Sequence, residues 1–75
     1  MERALTANGK TYKVSGEWKS EHLKVIFTGE VTDEAKGEVI AKLEYAVPPM
    51  AKARLGLDTL EEDIMAAVRE DIIRN

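Results

Sequence analysis

The stretch that decides the fold is a pair of alternating segments joined by a short polar turn. The first arm is Leu23-Lys24-Val25-Ile26-Phe27-Thr28-Gly29-Glu30-Val31-Thr32. The turn is Asp33-Glu34-Ala35-Lys36-Gly37, and the second arm is Glu38-Val39-Ile40-Ala41-Lys42-Leu43-Glu44-Tyr45-Ala46-Val47. Apolar and polar residues alternate along both arms, which is the period of a half-buried strand. The stretch therefore predicts one long β-hairpin over residues 23–47.

A turn centred on Ala35 fixes the predicted register of this hairpin. The pairs on the apolar face are then Val31–Val39, Gly29–Ala41, Phe27–Leu43, Val25–Tyr45 and Leu23–Val47. The other face is mostly polar and carries Ile26 and Ile40 among charged residues. A slip of one residue would mix the two faces and is disfavoured, whereas a slip of two residues preserves them and stays open.

Two shorter strands are predicted before the hairpin, over residues 3–7 and 10–18. Asn8-Gly9 lies between them, and Asn-Gly is the strongest short signal for a two-residue hairpin turn. This turn predicts the pairs Leu5–Tyr12 and Arg3–Val14. A second turn at residues 19–22 predicts the pairs Trp18–Leu23, Gly16–Val25, Val14–Phe27 and Tyr12–Gly29. The two glycines on the inner face leave space for an aromatic ring or a helix over bare backbone.

The C-terminal part predicts the helix that covers this sheet. Leu60, Ile64, Val68 and Ile72 recur every fourth residue, with Met65 and Ala67 on the flanks. Asp58 and Glu61 have the spacing of a capping box at its start. A separate helical turn over residues 49–55 is predicted to end at Gly56. Asp71 lies beside the apolar stripe, and we expect it to be exposed at the helix end; the alternative is burial against Arg3.

These elements predict an α+β fold: an antiparallel meander of three to four strands with one C-terminal helix packed on one face, in the order β-β-β-β-α. Residues 1–75 are expected to form a single small domain. A chain of this length buries only about 60% of its unfolded surface, and it has no Cys for disulfides. The small core and the absence of disulfides favour stabilisation by a partner subunit.

The net charge of −3 is concentrated in the last part of the chain. Residues 1–55 carry nine basic and eight acidic side chains, whereas residues 56–75 carry two and six. An acidic segment argues against general binding to nucleic acid or to a membrane surface. No apolar run has the length of a signal peptide or a membrane span, so we expect a cytoplasmic protein.

The side chains that could carry chemistry favour structural roles. Ser20, Glu21 and His22 are adjacent on a predicted exposed turn, where a nucleophile, its base and an orienting group rarely reach the required geometry. The acidic residues that open the helix suit the positive end of its dipole. We therefore expect no enzyme activity, no catalytic, metal or cofactor-binding residues, and no cofactor. The residues identify no family.

We expect a small non-enzymatic protein-interaction module that binds another protein or itself as a homodimer. The candidate interaction residues are Ile26, Ile40, Lys42, Lys52, Arg54, Glu62 and Glu70. One alternative is an acidic inhibitor of the kind that phages and mobile elements encode, which would mimic nucleic-acid charge. Another is nucleic-acid binding through the outer sheet face. The interaction surface is expected on that face, along the 38–47 edge, or on the helix and the 48–57 segment, which is either a binding loop or a plug for the core.

Overall fold

The computed structural model describes residues 1–74 and confirms the predicted β-β-β-β-α fold. Its elements are β1 (Glu2–Ala7), β2 (Lys10–Glu21), β3 (Lys24–Asp33), β4 (Glu38–Val47) and α1 (Pro49–Arg74). The four strands form one antiparallel sheet in the order β1-β2-β3-β4. Each strand therefore pairs with its neighbour in the chain, and β1 and β4 are the two edges.

The β1–β2 hairpin has the predicted register. Leu5 pairs with Tyr12 and Arg3 pairs with Val14. Asn8 and Gly9 form the turn, with φ angles of 53° and 74°. The positive φ at both positions is what a two-residue hairpin turn requires, and this explains why the dipeptide predicted the register correctly.

The β2–β3 hairpin turns later than predicted. Strand β2 continues to Glu21, so His22 and Leu23 form the turn in place of residues 19–22. Leu23 has φ 73° and is 76% exposed, so it does not belong to the inner face. The predicted partners of Trp18, Gly16, Val14 and Tyr12 were therefore wrong, and the observed partners are Phe27, Gly29, Val31 and Asp33.

The later turn places two glycines opposite each other under an aromatic ring. A Cβ added to Gly16 would lie 2.5 Å from Cζ of Phe27 and 2.5 Å from the carbonyl oxygen of Thr28. A Cβ added to Gly29 would lie 2.8 Å from the same Phe27 carbon. Phe27 is fully buried, and its ring centroid lies 5.3 Å from that of Trp18. The space predicted for a ring over bare backbone is thus occupied by Phe27.

The β3–β4 hairpin shows the two-residue slip that the sequence left open. The predicted pairs were wrong, and the observed ones are Val31–Ala41, Gly29–Leu43, Phe27–Tyr45 and Val25–Val47. The buried Asp33 sets the turn, because its carboxylate accepts hydrogen bonds from the backbone N–H groups of Ala35 (3.0 Å) and Lys36 (3.4 Å). A bulge between Val31 and Thr32 then absorbs one extra residue in β4.

Helix α1 is interrupted once, at the predicted glycine. Gly56 has φ 82° and ψ 157°, which are not helical angles, so α1 consists of a short segment (49–55) and a main segment (57–74). The main segment buries Leu60, Ile64 and Val68 against the sheet, as the apolar stripe predicted. Each of these side chains contributes roughly 1.5–3 kcal/mol by leaving water. The core that they complete with Phe27, Val14 and Val31 lies between the sheet and the helix.

Candidate functional site

The main helical segment crosses the sheet along a diagonal that leaves part of β4 uncovered. Near its start, the Trp18 indole N–H donates to a carboxylate oxygen of Glu61 at 2.9 Å. Near its end, the Asn8 side-chain amide donates to the Ile72 carbonyl at 3.3 Å. The backbone of the helix comes closest to β1 and β3, and its side chains pack in a core that also includes Tyr12 and Val14 of β2. Both anchoring side chains come from β2 and from the β1–β2 turn, so the helix lies away from β4 at its C-terminal end.

An apolar groove lies between that end of the helix and β4. The groove has a volume of about 480 Å³, and its floor contains the buried side chains of Tyr12 and Val31. Ile40, Ala41 and Leu43 line it from β4. From the helix it is lined by Val68, Asp71 and Ile72, and at one end by Asn8 and Lys10. Most of the lining residues are therefore apolar, and Asn8, Lys10 and Asp71 add polar and charged groups.

A smaller hollow continues the apolar surface toward the other end of β4. It has a volume of about 140 Å³ and is lined by Trp18, Tyr45, Val47, Leu60, Asp63 and Ile64. Ala41 is exposed and Leu43, Tyr45 and Val47 are half-buried, although the sequence predicted that this whole face would be committed to the core. The helix-facing side of β4 is thus incompletely covered along its length.

Strand β4 is also an edge of the sheet. It pairs with β3 on one side, and within residues 1–74 no strand lies on its other side. Alternate backbone N–H and C=O groups of an edge strand point outward and can pair with another strand. The groove and these backbone groups meet along the same strand.

Ile40 lies on the opposite face from the one predicted. It was expected on the outer face with Ile26, but it is the extra residue of the bulge, is 49% exposed and lines the groove. Val39, expected on the inner face, pairs with Thr32 and so lies on the outer face, 48% exposed. The cause is the bulge, which reverses the alternation of faces between residues 39 and 41.

Two other candidate residues lie on the outer face as expected. Lys42 is exposed and pairs with Glu30, and Glu44 follows it on the same face. Ile26 is half-buried between its cross-strand partners Lys19 and Ala46. The outer face therefore carries charges of both signs. Of the predicted residues, only Ile40 and Lys42 share the β4 edge.

The remaining candidate residues lie on the helix, away from the groove. Lys52 and Arg54 are exposed in the short segment 49–55. Leu55 is 52% exposed there, so this segment does not plug the core through Leu55. Glu62 lines a shallow depression with Arg3, and the Glu70 carboxylate forms an exposed ion pair with Arg74 at 3.2 Å. The structure does not bring these residues together into one site.

His22, considered for catalysis, and Asp71, considered for burial, lie far apart in the fold. His22 is exposed in the β2–β3 turn, and Asp71 is exposed on the rim of the groove at the other end of the molecule, with Asn8 and Lys10. Arg3, considered as a partner of a buried Asp71, lines the same shallow depression as Glu62. Within residues 1–74, no three His, Asp or Glu side chains are grouped so that they could hold a metal ion.

The residues that sequence reasoning missed are Ala41, Leu43 and Tyr45. Their alternation predicted a buried strand, and nothing in the alternation says how far a helix reaches across a sheet. The one available signal was the position of β4 as the last strand, which made its outer edge a candidate for strand addition.

Comparison of the chain with protein-family models, with curated proteins and with solved structures finds no match. No helix in the described residues has the length and apolar character needed to cross a membrane.

Proposed function

We propose that this chain is a non-enzymatic protein-interaction module that binds a partner strand along β4. The observation that carries this proposal is the coincidence of an apolar groove with an unpaired strand edge. Ile40, Ala41 and Leu43 line the groove, and the same stretch of β4 presents its backbone to solvent.

Strand addition uses both features at once. The backbone groups of an added strand pair with the edge and supply affinity, while alternate side chains enter pockets and supply specificity. A strand placed beside β4 directs every second side chain toward the helix side, because side chains alternate along a strand. Those side chains would cover the part of the apolar surface that the helix leaves open. Ala41 leaves room for a larger side chain at this point, since its own side chain is a single methyl group.

A protein partner fits this surface better than nucleic acid. The groove is lined mostly by apolar residues, and its one basic residue, Lys10, is accompanied by the acidic Asp71. On the outer face, Lys42 already faces Glu30 across the strands. Binding driven by apolar burial and backbone hydrogen bonds depends weakly on ionic strength, whereas charge mimicry depends steeply on it. The partner is another protein or a second copy of the chain, in the cytoplasm as the sequence leads us to expect.

Selection from a library of random peptides tests this proposal. The peptides should be about ten residues long, which is the length of strand that covers β4. We expect the selected peptides to alternate apolar and polar residues and to bind in an extended form. Ala41→Glu introduces a charge beside the groove and should weaken their binding at least tenfold, as measured by fluorescence anisotropy. Ala66→Glu makes the same change on an exposed part of the helix and should have no effect.

Two results would argue against the proposal. One is a selection that enriches no peptide, together with a native chain that does not self-associate at any concentration. The other is a set of peptides that bind Ala41→Glu and the native chain equally well. Retention of binding in high salt separates strand addition from the charge-mimicry alternative, because only the latter should be lost.

A further inference from the structure

We infer that the partner strand is β4 of a second copy, aligned so that Leu43 faces Leu43 of that copy at a two-fold axis. This inference rests on the proposed function, because it names the occupant of the same edge. It adds a register, and the register follows from the order of charges and side-chain sizes along β4.

Symmetry leaves few registers to choose from. In an antiparallel pair, opposite residues share a face, so the two-fold axis must pass midway between a residue and its own copy in the facing strand. An axis at Lys42 or at Glu44 places like charges directly opposite each other, which is destabilising. An axis at Ala41 centres the pairing beside the bulge at Ile40, where regular pairing is interrupted. An axis at Tyr45 moves Lys42 opposite Pro48, beyond the end of the strand.

The axis at Leu43 places opposite charges in facing positions on the outer face of the sheet. Lys42 then lies opposite Glu44 of the second copy, and Glu44 lies opposite Lys42 of that copy. Both side chains are exposed on the edge strand and are able to meet across it. Opposite charges in directly facing positions stabilise a strand pair, and this register provides two such pairs.

The same register places a small side chain opposite a large one on the face of β4 that faces the helix. Ala41 has the smallest side chain on that side of β4, and it lies opposite Tyr45 of the second copy, which has the largest. Ala41 borders the groove, so the incoming ring would lie at the open side of the groove near Ile40 and Leu43. A large side chain opposite a small one fills the space without overlap.

Pairing in this way closes the exposed edges of β4. The two sheets join into one of eight strands, and both copies of β4 become interior strands. Each helix packs mainly on β1 and β3 of its own copy. The backbone contacts of the helix are thus mainly with strands other than the one that forms the junction.

Charge exchange tests the register. Lys42→Glu and Glu44→Lys each place like charges opposite each other at both positions, so each variant alone should dissociate with a dissociation constant at least tenfold weaker than that of the native chain. An equimolar mixture of the two restores two opposite-charge pairs and should associate again. Lys52→Glu makes the same charge change on the exposed helix and should leave association unchanged. Sedimentation velocity over a concentration series measures all four, and circular dichroism checks folding.

A cysteine scan tests the same register without changing any charge. The chain has no Cys, so a single introduced thiol has only its own copy as a disulfide partner. Leu43→Cys places the two thiols on facing residues, whose Cα atoms in an antiparallel pair lie about 4.5–5.5 Å apart, within disulfide range. Ala41→Cys places the two Cα atoms about 14 Å apart, which is too far. Mild oxidation should cross-link Leu43→Cys and leave Ala41→Cys without a disulfide between the two copies.

These experiments can contradict the β4–β4 dimer without contradicting the proposed interaction module. A native chain that stays monomeric at every concentration, yet binds selected peptides along β4, overturns the inference and leaves the interaction module intact. A dimer that withstands both charge variants, or that cross-links equally through Ala41→Cys, overturns the register. Loss of association in the single variants, recovery in the mixture and selective cross-linking at Leu43 support it.

Discussion

The indole nitrogen of Trp18 lies 2.9 Å from a carboxylate oxygen of Glu61 and donates a hydrogen bond to it. This bond joins the far end of β2 to the start of the main helical segment. A second bond, from Asn8 to the Ile72 carbonyl, holds the other end of that segment over the β1–β2 turn. Between these two bonds the helix packs on the sheet through Leu60, Ile64 and Val68, and the start of β4 is exposed.

Removing the Glu61 carboxylate should weaken this anchor. We expect Glu61→Ala to lower the free energy of unfolding by about 1 kcal/mol, because the partly buried indole N–H loses its acceptor. Glu61→Gln retains an acceptor oxygen and should have a smaller effect. Urea denaturation measures both, with Glu62→Ala as the control at an exposed neighbouring position. Equal losses in Glu61→Ala and Glu62→Ala would mean that the hydrogen bond contributes nothing.

Replacing Leu23 should stabilise the protein. Leu23 has φ 73° and is 76% exposed, so its side chain adds backbone strain and little burial. Left-handed backbone costs a residue with a Cβ roughly 1–2 kcal/mol, and Gly escapes most of this cost. Leu23→Gly should therefore raise the free energy of unfolding by about 0.5–1 kcal/mol once the greater entropy of the unfolded chain is included. Leu23→Ala keeps the strain and should give no gain, so a gain from Ala equal to that from Gly would contradict the explanation.

Adding a methyl group to Gly16 should be strongly destabilising. The new Cβ would lie 2.5 Å from both the Phe27 ring and the Thr28 carbonyl oxygen, and the second of these is backbone that cannot rotate away. We expect Gly16→Ala to cost about 1–3 kcal/mol, as overpacking of a core does. Ser15→Ala, one residue earlier, is the control. Thermal unfolding measures both, and a Gly16→Ala variant as stable as the native chain would contradict the described packing.

Asp33 should be required for the β3–β4 turn. Its buried carboxylate accepts from two backbone N–H groups of the turn, so Asp33→Ala leaves those donors without their partner. We expect a loss of about 1–3 kcal/mol, and a smaller loss for Asp33→Asn, which retains one acceptor oxygen. Because this turn holds β4 in register, hydrogen exchange of the β4 amides should also accelerate in Asp33→Ala. Unchanged exchange in β4 would show that the turn does not control the register.

Local signals in the sequence predicted some parts of this fold correctly and gave no information about others. Asn8-Gly9 predicted the β1–β2 register because the turn itself demands positive φ at both positions. The 23–47 hairpin has no such turn signal, and its alternation is equally satisfied by registers that differ by two residues, so its predicted pairs were wrong. Leu23 misled the prediction because an apolar residue of that type rarely occupies a left-handed turn position.

The candidate site was only partly predictable for a related reason. The sequence indicated the β4 edge, which follows from the order of strands, and it placed Lys42 on the outer face correctly. It named Ile40 as a candidate but placed it on the wrong face. It could not indicate the groove, which depends on the diagonal path of the helix and therefore on contacts between residues distant in the chain. Trp18 and Glu61 make one of these contacts, and their spacing in the sequence carries no sign of it.

The most direct test of β4 as the interaction surface is the concentration dependence of its backbone amide resonances. We expect the amide signals of residues 41–45 to shift, and their hydrogen exchange to slow, as the concentration of the native chain increases. The amides of β1, at the other edge of the same sheet, should remain unchanged. Shifts confined to β1, or no shift in β4 with either increasing concentration or added selected peptide, would contradict the account.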